Sequence, residues 1–125
     1  WANTDQWFVL GPLAVLLVQG GRLDEAVELY RRAAAADPTN AGVRNNLGSF
    51  LTRQGRGDEG ADHFRRAVEL DPRLESAHFN LGAYLHLKGA YTEAAEHYRA
   101  ALALNPNNAD ARNNLDVLLR QIGGR

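Results

Sequence analysis

Shifted by 34 residues, the chain aligns with itself without a gap. Leu13, Leu47, Leu81 and Leu115 form one column, and Leu17, Leu51, Leu85 and Leu119 a second. Gly21, Gly55, Gly89 and Gly123 form a third, Tyr30, Phe64 and Tyr98 a fourth, and Pro38, Pro72 and Pro106 a fifth. A unit of this length cannot bury its apolar face alone; tandem neighbours do it. Leu at i and i+4 is one stripe of a helix. Gly at the end of that stripe suits the residue just past a helix C-terminus. Small residues at 14, 48 and 82, and at 26, 60 and 94, let two helices approach closely. Asp24, Asp58 and Thr92 are read as caps for the second helices. Asp-Pro or Asn-Pro then ends each second helix, because proline cannot continue it.

Each unit is therefore helix, tight turn, helix. First helices are predicted near 7–19, 41–54, 75–88 and 109–122, and second helices near 24–36, 58–70 and 92–104. The predicted fold is all-α: an α-solenoid of three tandem helix-turn-helix repeats (7–40, 41–74, 75–108) closed by a capping helix at 109–122. Residues 1–125 are read as one domain. Pro12 is expected to interrupt the first helix. The run 7–18 is apolar almost all round, so Trp7, Phe8, Leu10 and Val15 are read as an interface. Upstream chain or a second copy would cover it.

Composition removes several functions. The net charge is −1, which provides no field for nucleic acid or an anionic membrane. Cysteine is absent, excluding disulfides, thiolate catalysis and zinc–thiolate sites. The four histidines show no ligand spacing, so no metal or cofactor is expected. No catalytic constellation is present, and the chain is read as not an enzyme. Arg-Gly-Asp at 56–58 reads as an inter-helix turn. The most apolar run is too short to span a bilayer. Trp1 and the lack of methionine suggest a piece of a longer protein, and the expected location is cytoplasmic, with a periplasmic or membrane-tethered parent left open.

The unit "ESAHFNLGAYLHLKGAYTEAAEHYRAALALNPNN" (75–108) places Leu81-Gly82, Gly89, Tyr91, Ala94, Tyr98, Ala101 and Pro106 at the spacings of the tetratricopeptide repeat, and the chain resembles that family over 7–125. There are departures. Leu10, Arg44, His78 and Arg112 stand where a large aromatic is usual. Gly57 and Gly60 replace Tyr and Ala, so repeat two is expected to be soft.

The resemblance implies a right-handed superhelix whose first helices line a concave groove, with the residue before each Leu-Gly pair facing into it. Asn46, Asn80 and Asn114 would then form a row of amides holding the main chain of a peptide. Asn45, Asn113, Ser49, Arg53, His86 and Arg120 are the further groove candidates. The alternative for the asparagines is a purely structural bridge between neighbouring repeats by amide hydrogen bonds. The family's carboxylate clamp would require cations or amides where Gly11, Val15, Ser76 and Asn80 stand; only Asn46 matches, so a chaperone-tail clamp is not expected. Two Arg on an amide-rich face favour a segment with an apolar anchor and a carboxylate. The function implied is a protein-interaction scaffold for a protein or peptide partner. The alternatives are homo-oligomerisation through the first helix, or a substrate-docking arm of a larger protein.

Overall fold

The structure, a computed structural model, describes residues 9–124. These form seven helices: α1 (Leu10–Gln19), α2 (Leu23–Ala36), α3 (Ala41–Arg53), α4 (Gly57–Leu70), α5 (Glu75–Leu87), α6 (Tyr91–Leu104) and α7 (Ala109–Gly123). No strand occurs among the described residues, and the architecture is an all-α helical repeat. The chain divides into two compact units, one ending at Leu70 and one starting at Asp71. In the first, α1 packs on α2, α2 on α3 and α3 on α4; in the second, α5 packs on α6 and α6 on α7.

The turns follow from glycine. Gly21, Gly55 and Gly89 hold φ between 76° and 83°, a region that costs other residues strain. After α3, the Gly55 N–H donates to Thr52 O at 3.0 Å and the Arg56 N–H to Leu51 O at 2.9 Å. This pair of bonds satisfies carbonyls that the helix end leaves open. The same pair recurs after α1 and α5. Pro12 is the third residue of α1, where a missing N–H costs no intrahelical bond. From Leu10 to Gln19, α1 therefore runs through Pro12 unbroken.

The expected caps are displaced. Second helices begin one residue earlier, so Asp24 and Asp58 lie in the first turn, where their charge suits the helix dipole. The side-chain caps belong to first helices: Asn40 accepts from the Val43 N–H at 3.1 Å and Asn108 from the Ala111 N–H at 2.9 Å. The departures at 44, 78 and 112 also acquire a cause. Arg44 Nε donates to Pro38 O at 2.8 Å, His78 Nε2 to Pro72 O at 2.8 Å, and Arg112 to Pro106 O. Each ties its helix to the turn that leads into it.

Leu47, Leu51, Leu81 and Leu85 are buried as the columns predict. Burial of each contributes about 1.5–3 kcal/mol. Leu13 and Leu119 break their columns and are about two-fifths exposed. Leu47 packs in a core shared with α2, the second helix before it. Among the described residues no second helix precedes α1 and none follows α7. Leu10 and Ala14 take the core positions of α1 instead.

Helices α3 and α4 meet at Gly48 and Gly60. A Cβ on Gly60 would lie 2.6 Å from Gly48 O and 2.8 Å from Thr52 Oγ1; one on Gly48 would lie 2.7 Å from both Gly60 O and the Phe64 ring. The matching pair in the second unit, Gly82 and Ala94, is looser, with 3.4 Å from a Gly82 Cβ to Ala94 O. Gly60 is thus required by contact, and the α3–α4 approach is closer there than the α5–α6 approach at Gly82. Gly60→Ala should destabilise by about 1–3 kcal/mol despite its better helix propensity. Gly57→Ala, with open space around its Cβ, should be neutral or stabilising by up to about 1 kcal/mol. Urea denaturation of the two variants checks the contrast.

Glu59 joins α4 to α2. Its carboxylate accepts from Arg31 at 2.8 Å and from Arg56 at 2.8 Å. The Arg31 hydrogen bond, aided by the charges of Arg31, Arg56 and His63, holds Glu59 below the usual carboxylate range. A depressed folded value stabilises above the unfolded value, and that gain is lost as pH falls through the folded one. Glu59→Gln should therefore cost up to about 1 kcal/mol at neutral pH, as expected of a partly exposed pair. The difference from wild type should close as the solution is acidified through the carboxylate range, measured by denaturation at a series of pH values.

Candidate functional site

In the first unit, α1 and α3 flank an open pocket of about 480 Å³ with α2 behind it. Gly11, Val15 and Val18 form the α1 wall, and Tyr30 and Phe50 the apolar floor, their rings 5.2 Å apart. Asn46, Ser49 and Arg53 stand on α3, and Gln19 closes one end. Positions 46, 49 and 53 share a helix face by their i, i+3, i+7 spacing. Gly11 faces Tyr30: a Cβ there would lie 3.9 Å from the hydroxyl, an ordinary contact.

Asn46 Nδ2 donates to the Tyr30 hydroxyl oxygen at 3.4 Å. With its N–H turned to α2, the amide presents Oδ1 away from it. Tyr30 is only 3% exposed. Burial raises its pKa and the Asn46 bond partly offsets the rise, so it is a neutral hydroxyl at physiological pH. Arg53 is exposed and has no acidic partner among the described residues, unlike Arg22, Arg31, Arg32, Arg56 and Arg66.

The second unit repeats this plan. Asn114 hydrogen-bonds the Tyr98 hydroxyl, whose pKa is likewise raised by burial. His86 Nδ1 lies 3.4 Å from the Tyr98 hydroxyl, and His86 Nε2 lies 2.6 Å from Gln121 Oε1. Because Oε1 only accepts, Nε2 is the donor and Nδ1 is left to accept from Tyr98. Asn80 is half-buried on α5, and Arg120 and Asn113 are exposed on α7. The structural bridge expected as the alternative is present at Asn46 and Asn114, each of which bonds the tyrosine of the preceding second helix.

Two candidates change role. Asn45 is 5% exposed and sits inside the packing, so it lines no groove; at 3.6 residues per turn it lies 100° from Asn46. Leu10 is 6% exposed and belongs to the core, so it forms no interface. The exposed apolar residues of the α1 region are Val9, Leu13, Val15 and Leu16. Trp7 and Phe8 lie outside the described residues. Tyr30 is not legible in the sequence as a pocket residue, because an aromatic column reads as core. The substitution of Phe64 for Tyr in the middle of that column was the available signal.

No group of three or more His, Cys, Asp or Glu able to hold a metal occurs among the described residues. No described helix is long and apolar enough to cross a membrane.

A tetratricopeptide repeat model matches residues 12–75, and a second TPR repeat model matches 85–123. The chain belongs to the tetratricopeptide repeat family. Members of this fold are generally interaction modules and not enzymes. Among solved structures, the first TPR domain of Spaghetti (RPAP3) bound to the HSP90 peptide SRMEEVD is 26% identical. The match covers 97% of this chain and 96% of that one, with a TM-score of 0.88. The first TPR domain of human RPAP3 is 25% identical over 98% and 96% of the two chains, with a TM-score of 0.87. MamA, at 23% identity and a TM-score of 0.81 over 93% of this chain and 63% of that one, shares the fold. No curated protein matches the sequence.

Proposed function

We propose that the chain is a non-enzymatic protein-interaction scaffold, one tetratricopeptide domain that binds an extended segment of a partner protein on its first helices. The pocket of the first unit supports this most directly: an apolar wall and floor beside an amide, a hydroxyl and an unpaired guanidinium. That mixture suits a peptide, whose main chain needs donors and acceptors while its side chains need apolar volume. Asn46 in the first unit, and Asn80 and Asn114 in the second, are the main-chain readers. Ser49 and Arg53, and in the second unit Asn113 and Arg120, supply the neighbouring polar contacts. The relative bound to an HSP90 peptide supports peptide recognition by this fold. The chaperone tail itself is not carried over, because Gly11, Ser76 and Asn80 offer no cation, and Val15 no amide, where the clamp needs them.

The test is a pull-down from the source organism's lysate, comparing wild type with the Asn46→Ala, Asn80→Ala, Asn114→Ala variant, both checked by circular dichroism. A partner held by wild type and lost by the variant is the expected result. Equal recovery would make the asparagine column structural and overturn the reading.

A second reading is favoured by the exposed Leu13 and Leu16: self-association through α1. It predicts a mass in sedimentation that rises with concentration and reverts to the monomer value in Leu13→Gln, Leu16→Gln. A wild type that stays monomeric across the range would dismiss it.

A further inference from the structure

The two units offer an internal comparison. A shift of 68 residues carries Tyr30 to Tyr98, Asn46 to Asn114, Val18 to His86 and Arg53 to Gln121. The tyrosine–asparagine pair is present in both. In the second unit His86 spans from the Tyr98 hydroxyl to Gln121 and occupies the space between α5 and α7. In the first unit Val18 is too short to do so and Arg53 offers no acceptor, so the same place is the open pocket.

The open pocket leaves three polar demands. The Tyr30 O–H proton has no acceptor among the described residues, although the side chain is 3% exposed and lines the pocket. Asn46 Oδ1 calls for a donor, since its N–H is directed to Tyr30. Arg53 calls for an anion. A peptide group supplies the acceptor and the donor together, which a fatty acid does not. The apolar volume between Val15, Val18 and Phe50 takes a large side chain. From Phe50, which borders that volume, to Arg53 is three residues, about 4.5 Å along the helix, and the long arginine stem carries the guanidinium further. Side chains two positions apart on an extended chain share one face and are separated by about 6.6 Å. A single exposed guanidinium matches a side-chain carboxylate; a chain-terminal carboxylate is usually held by a nest of backbone donors.

We propose that the first-unit pocket is a specificity site for an internal motif of a partner: a large apolar side chain with Asp or Glu two positions away on an extended segment. The corresponding place in the second unit is shut by the His86–Gln121 bridge. The partner is thus anchored once, through the first unit. This rests on the scaffold reading above.

The probe is the capped peptide acetyl-Ser-Glu-Gly-Phe-Gly-Glu-Ser-amide, which carries an acid on both sides and has no free carboxyl terminus. Controls replace both Glu by Gln, or Phe by Ala. Calorimetric titration of the whole chain should show one site, weakened at least fivefold by either control. Arg53→Gln should weaken the acidic probe at least fivefold and leave the Gln control unchanged. Arg53→Lys should retain part of the preference. Val18→His with Arg53→Gln should close the site, and His86→Val with Gln121→Arg should raise the stoichiometry from one to two. Thermal melts confirm that each variant is folded. Equal binding of the Glu and Gln peptides by wild type, or no binding of either, overturns the proposal, as does full retention of the preference in Arg53→Gln, which requires no core change. Should the lysate partner still depend on Asn46 while the probe fails, the scaffold reading stands and the motif is wrong.

Discussion

The close approach of paired helices at small residues is the contact on which the rest of the structure depends. At Gly48 and Gly60 the α3 and α4 backbones stand where no Cβ fits without displacement. At Gly82 and Ala94 the α5–α6 pair is slightly wider. Ala14 and Ala26, both fully buried, occupy the same places in α1 and α2. Interiors are packed as densely as organic crystals, so one methyl group sets the spacing of two helices. That spacing decides where the Tyr30 and Tyr98 rings lie, and each hydroxyl meets the asparagine of the following first helix.

A second layer of polar bonds fixes α3, α5 and α7 at their starts. Asn40 and Asn108 cap α3 and α7, while Arg44, His78 and Arg112 reach back to a proline carbonyl. Proline ends the preceding helix and then supplies the acceptor that anchors the next. In the second unit Glu75 adds a tie by accepting from Asn105 at 3.1 Å and Asn108 at 2.6 Å. These bonds lie at the turns, leaving the first-helix faces between them available for other contacts.

The candidate site shows how a repeat diversifies without changing its frame. The tyrosine–asparagine pair is common to both units, while positions 18 and 53, and 86 and 121, differ. Val and Arg leave a pocket with an unpaired cation; His and Gln fill the same place with their own hydrogen bond. A glutamine acceptor satisfies the imidazole N–H, so closure leaves no buried donor unpaired.

The 34-residue period alone determined the helix count, the turn positions, most of the core and the family. Each of these follows from local chemistry: Gly at positive φ, Pro after a helix, and Leu at i and i+4. Helix ends agreed to within one residue wherever that chemistry was present. The tertiary structure alone decided which equivalent residues are not equivalent in space. Leu13 shares a column with Leu47 yet is exposed, because no described second helix precedes α1. Gly60 reads as a weak helix former until α3 stands against it. Asn45 and Asn46 are identical and adjacent in sequence, and a 100° turn of helix buries one and exposes the other. Tyr30 reads as core, and it lines the first-unit pocket because α1 places Val18 where the second unit has His86. Periodicity specifies what each helix is; what lies beside a side chain depends on a neighbouring helix that the side chain's own local sequence does not encode.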